Sequence, residues 1–134
     1  MCIFFFDENA LGVARRLLHD GLNANICMPG CVDHALVVPR GALDVPIFQA
    51  LTQIDRVVLI TKDKKMQSRP IEVEKFQELG IRSFTISVRK QTVDVEARLL
   101  TRYWGAIESM ERNNLTGPWN CRITQHGLRH KAWS

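Results

Sequence analysis

The chain has 134 residues, 46% hydrophobic and 24% charged, with a formal net charge of +4 and an isoelectric point near 9.1. That composition belongs to an ordinary soluble globule of single-domain size, and it excludes low-complexity and integral-membrane classes, since no apolar stretch reaches the roughly 18 residues that span a bilayer. The modest positive excess is compatible with a polyanion such as RNA or with an acidic protein partner.

The opening Met1-Cys2-Ile3-Phe4-Phe5-Phe6-Asp7-Glu8 has no basic n-region, and its apolar run is too short for a signal peptide, so a cytoplasmic protein is expected. The four cysteines, Cys2, Cys27, Cys31 and Cys121, fit that compartment as reduced thiols. Cys27-x3-Cys31 with His34 has part of a zinc spacing but no clear fourth ligand.

Cys2 to Phe6 is a continuous apolar run, the signature of a strand buried on both faces in a parallel sheet. Asp7-Glu8-Asn9 ends it, and a helix is expected over Ala10 to Leu22, with Asn9 as its cap and Leu11, Ala14, Leu17, Leu18 and Leu22 near a helical period. Residues 23–33 read as an irregular connection, and Ala35 to Val38 as a short strand. A short helix over Asp44 to Gln53 has Asp44 as N-cap and Pro46 in its first turn. Arg56 to Thr61 is the clearest strand and runs into Lys62-Asp63-Lys64-Lys65. A helix over Pro70 to Leu79 ends at Gly80, Ile81 to Val88 is a strand, and a long helix opens at Gln91-Thr92-Val93-Asp94 and reaches about Arg112. Trp119 to Thr124 alternates as a last edge strand, followed by a polar basic tail from about residue 125. His126 and His130 stand at a spacing that would share a helix face.

Strands alternating with helices predict a single α/β domain over residues 1–134, with a mainly parallel sheet and right-handed crossovers. Asp7 and Asp63 each follow a predicted strand, so a parallel sheet would bring them to one edge, with Asp44 approaching from a helix start. Crowded carboxylates need a cation, and hard oxygen ligands select Mg²⁺ or Mn²⁺. Each aspartate also has a plain explanation as a cap or turn residue. No Walker-type loop, Gly-x-Gly-x-x-Gly or nucleophile elbow is present.

Phe4-Phe5-Phe6-Asp7-Glu8-Asn9, Gly41-Ala42-Leu43-Asp44 and Val58-Leu59-Ile60-Thr61-Lys62-Asp63-Lys64-Lys65-Met66 together resemble the PIN-like domain pattern, in particular the short members related to VapC-type toxins. The stretch from Trp104 to Gly127, with Gly117-Pro118-Trp119, resembles the ending of those members. The resemblance implies a three-layer α/β/α sandwich and a Mg²⁺- or Mn²⁺-dependent endoribonuclease, a hydrolase held in check by an antitoxin. It assigns Asp7, Asp44 and Asp63 as catalytic and metal-binding residues, with Asn9 and Thr61 supporting them. The pattern departs where the family often has a further acid and this chain has Lys65; Glu8, Glu72 and Asp94 are the substitutes considered.

Lys62, Lys64, Lys65, Arg15 and Arg69 are candidate RNA-binding residues around these aspartates. Phe4 to Phe6 are expected in the core, and Trp104, Trp119 and Trp133 in packing roles. Two alternatives stand beside the nuclease: a catalytically degenerate PIN-like module that binds RNA or a protein partner, and a receiver-like domain, for which Lys90 is a poor match to the late lysine required. A homodimer through exposed aromatics and the final strand is also an expectation.

Overall fold

The computed structural model describes residues 2–30, 44–64 and 68–131; of residues 44, 45 and 131 it describes the backbone alone. The elements in chain order are β1 (Ile3–Phe6), α1 (Leu11–His19), β2 (Asn25–Cys27), α2 (Asp44–Leu51), β3 (Val57–Thr61), α3 (Pro70–Glu78), β4 (Arg82–Ile86), α4 (Val93–Asn113), β5 (Trp119–Thr124) and β6 (Gly127–Lys131). A 3₁₀ turn, Glu8–Ala10, joins β1 to α1.

The strands form one sheet in the order β2-β1-β3-β4-β5-β6, parallel throughout except for β6, which runs antiparallel to β5. The apolar run of β1 is buried on both faces. Phe4 and Phe6 join a core with Val58, Ile60, Phe84, α1 and α4, whereas Phe5 joins Leu59, Cys27, α2 and α3 on the other face. Helices therefore cover both faces, giving the expected α/β/α sandwich.

Several expectations need correction. Asp7 caps the first turn, its carboxylate accepting from the Ala10 amide at 3.2 Å, while Asn9 is exposed and caps nothing. In α1 the inward positions are Leu11, Val13, Ala14 and Leu17; Leu18 points outward. The connection over 23–33 contains a strand, β2, paired with β1. The last strand is β6 rather than β5: the two-residue turn Gln125-His126 leads into it, with Gly127 at φ +117°, a conformation that favours glycine. His126 and His130 accordingly share no helix; the His130 ring lies 6.3 Å from that of Trp119. Trp104 packs on Phe4 and Trp119 on Phe84. Cys27 is a buried core thiol, whereas Cys31 and His34, the strand read over Ala35 to Val38, Lys65 and Trp133 lie outside the described residues.

The crossovers do not share one hand. From β3 to β4 and from β4 to β5 the chain moves in the same direction across the sheet, yet α3 and α4 lie on opposite faces, so these two connections have opposite hands. The reason is local. β4 and β5 alternate, presenting Phe84, Ile86, Trp119, Cys121 and Ile123 to one face and Ser83, Thr85, Asn120 and Arg122 to the other. The apolar stripe of α4, including Ala97, Leu100, Trp104 and Ile107, finds apolar partners on the first face alone.

Candidate active site

The chain leaves β1 toward β2 on one side and later returns to β3 on the other, so the order of the sheet reverses between β1 and β3. Open α/β sheets bind ligands in the crevice outside the carboxyl ends of the strands at such a switch point. Asp7 follows β1 and Asp63 follows β3, which puts both at this crevice.

Thr61 ties them together. Its hydroxyl donates to Asp7 Oδ2 and accepts from the Asp63 amide at 3.0 Å. Asp7 is buried, 3% exposed, and its other oxygen accepts from the Ala10 amide. Two directed hydrogen bonds fix the orientation of this carboxylate. Asp63 is more open, and Arg69, the residue preceding α3, donates to its Oδ2 at 2.8 Å and to Glu72 at 3.1 Å.

The other expected residues divide. Asp44 opens α2, but its side chain lies outside the described residues. Lys62 turns from Asp63 to the other side of the sheet end, where its Nζ meets Glu96 at 3.0 Å in the first turn of α4. Glu96 is 1% exposed, and Lys62 is its one ionic partner among the described residues. Lys64 and Arg15 are exposed. Of the candidate extra acids, Glu72 shares Arg69 with Asp63, whereas Asp94 is held by Arg16 and Arg98, whose hydrogen bonds keep its carboxyl below its usual range.

Sequence reasoning missed a polar row across the sheet. One step beyond the pair Phe6↔Ile60, Asp7 is level with Thr61; Thr61 pairs with Thr85, Thr85 with Arg122, and Arg122 with Arg129. Partners in register share a face. Beneath this row Asn120 donates to Ser83 and Thr85 at 2.7 and 2.8 Å. The signal lay in the period-two alternation of Arg82 to Ile86 and Trp119 to Thr124, which assigns one polar face but not what stands across from it.

Among the described residues no three acidic, histidine or cysteine side chains stand close enough to hold a metal ion. Asp7 and Asp63 provide hard oxygen donors of the kind Mg²⁺ and Mn²⁺ select, and a fuller set needs a third, for which Asp44 is the candidate.

An open α/β sheet with carboxylates at its switch point defines a domain of the doubly wound class, with a ligand crevice at the carboxyl ends of its strands. The match to a known family is more specific: the PIN like domain family model matches residues 2–88, from β1 to just beyond β4, and the chain belongs to that family of nuclease-type domains. No curated protein and no solved structure matches the chain. No helix of the described residues is long and apolar enough to cross a membrane.

Proposed function

We propose that this chain is a metal-dependent endoribonuclease, the toxin of a toxin–antitoxin pair, working in the cytoplasm as a single domain. The observation that carries the reading is the hydrogen-bonded sequence Asp7–Thr61–Asp63 at the switch point of a PIN-like sheet. Asp7, Asp63 and Asp44 would hold Mg²⁺ or Mn²⁺; when bound, such an ion supplies a water of lowered pKa and charge to offset the leaving oxygen.

The chain's own residues orient and neutralise. Thr61 and the Ala10 amide aim the Asp7 oxygens, and burial excludes water that would loosen them. Arg69 balances Asp63 in the free protein and is available to a phosphate when Asp63 takes a cation. Lys64, Arg15 and Lys65 add positive potential for the RNA backbone, while Lys62 acts from its anchored position on Glu96. Asn9, exposed two residues after Asp7, would meet substrate rather than cap.

Purified protein is expected to cleave RNA with Mg²⁺ or Mn²⁺, and Asp7→Asn, Asp44→Asn and Asp63→Asn each to lose about 10²-fold or more of the rate. Calorimetry on the same proteins measures metal binding. An RNA panel left intact with either metal, together with no heat of metal binding, overturns the reading.

One observation favours a second function, a non-cutting module that binds RNA or a protein partner such as an antitoxin or a second copy of this chain. Asp63 already has a cationic partner in Arg69, and the position where the family often has a further acid is Lys65. That module predicts binding indifferent to metal, and metal-dependent turnover excludes it.

A further inference from the structure

We propose that Arg122 and Arg129 form a second phosphate-binding position for the RNA chain, on the same sheet face and at the same level as Asp7; this rests on the nuclease reading above. The two arginines stand directly opposite each other on β5 and β6, at the far end of the row Asp7–Thr61–Thr85–Arg122–Arg129. Like charges directly opposite on a sheet repel and destabilise it. Here nothing offsets them: among the described residues neither side chain has an ion-pair partner.

Arg122 is half-buried, and its Nε is shut off from solvent without a hydrogen-bond acceptor. A desolvated guanidinium N–H without an acceptor is costly. The cost is recovered when an anion arrives, and a guanidinium matches the geometry of phosphate by donating two parallel hydrogen bonds. No described acid pairs with either arginine. Asn120 is 1% exposed and gives its amide hydrogens to the buried hydroxyls of Ser83 and Thr85.

The spacing fits a strand of RNA rather than a lone anion. From Asp7 to Arg122 is three strand spacings, roughly 14 Å, or the length of about four stacked nucleotides. A phosphate held at the arginines would therefore be a few nucleotides from one at Asp7, across the buried Thr61 and Thr85. The exposed Arg129 would meet the strand first, and Arg122 would fix it.

The test is RNA binding without divalent metal, followed by fluorescence anisotropy over a salt series. The probes are a single-stranded RNA long enough to pass from Asp7 to Arg129 and a dinucleotide too short to do so. For the long RNA, Arg122→Gln and Arg129→Gln are each expected to lower the slope of log K against log salt by about 0.7, and the double variant by twice that. Arg122→Lys and Arg129→Lys should retain most of the slope, and the dinucleotide should bind all forms alike. Because Arg129 is exposed, Arg129→Gln is informative even if Arg122→Gln is poorly folded. Unchanged slopes in Arg129→Gln and the double variant overturn the proposal. So does a slope unchanged for RNA while poly-glutamate binding is lost, which assigns the pair to an acidic protein segment. Reduced slopes in a protein that cleaves no RNA with Mn²⁺ uphold the arginine site and reject catalysis alone.

Discussion

Thr61 is the residue on which the geometry of the site converges. It is 1% exposed, its hydroxyl donates to Asp7, and it accepts from the Asp63 amide. Thr61→Val keeps the shape and removes both interactions, leaving a buried carboxylate oxygen of Asp7 without that donor. The expected loss is about 1–3 kcal/mol in urea denaturation, with a fall in RNA cleavage, and Thr61→Ser should restore both. A Val variant as stable and as active as the parent would show that the hydrogen bonds are incidental. Asp7, Thr61 and Asp63 were legible in sequence because each sits at the end of a strand whose burial is written in consecutive Phe, Val, Leu and Ile residues. The partners of the neighbouring cations were not legible. Lys62 goes to Glu96 and Arg69 to Asp63, and both choices depend on where the starts of α4 and α3 stand relative to the sheet edge. The Arg122–Arg129 pair was hidden for a similar reason: it needs a strand pairing inside what composition alone describes as a basic tail.

At the scale of elements, the long periodic segments were legible and the short ones were not. The sequence places α4 to within a residue or two, since Thr92 caps it by accepting from Val95 N and its apolar stripe persists over many turns. β2 has three residues, too few for a period to show, and β6 is polar because it is an edge strand with one side in solvent. The two glycines flanking the sheet bottom and the α4 surface give opposite expectations. A Cβ at Gly117 would lie 2.1 Å from the Gly80 carbonyl oxygen, a collision with backbone rather than with a movable side chain. Gly117→Ala should therefore destabilise by about 1–3 kcal/mol, as forced overpacking does. Gly105, in the exposed middle of α4, has nothing within 4 Å of an added Cβ. Gly105→Ala should stabilise by up to about 1 kcal/mol through helix propensity alone. Chemical denaturation of the two variants side by side checks the pair, and equal effects would refute the close approach at Gly117.

Across the whole molecule, the candidate site and the main ionic lock occupy opposite edges of the sheet. The carboxylates and the polar row are at the carboxyl ends of the strands, whereas the amino ends are locked by Glu111 near the end of α4. Its side chain is 2% exposed and accepts from Arg56, just before β3, at 2.6 and 2.8 Å and from Arg82, which opens β4, at 3.0 Å. Arg82 also donates to the carbonyls of Val57 and Asn114, so one cluster joins two strands to the helix that crosses them. Burial pushes the Glu111 carboxyl up, but the hydrogen bonds and charges of Arg56 and Arg82 outweigh it and hold the group below its ordinary value of 4.5. A carboxyl held lower in the folded than in the unfolded chain favours folding above its unfolded value, and that contribution is lost as pH falls through the folded value. The melting temperature should thus be insensitive to this group from neutral pH down to about 5 and fall in more acid solution. Glu111→Gln should cost about 3–5 kcal/mol at neutral pH, because it leaves Arg82 buried without its counter-charge. It should also flatten the acid limb of the melting curve, since the titrating group is gone. Because the cluster is at the edge away from Asp7 and Asp63, metal binding by the folded variant at low temperature should match the parent. A Glu111→Gln protein that keeps the full acid limb would place that limb in other carboxylates, and one that loses metal binding while folded would show that the two edges of the sheet are coupled.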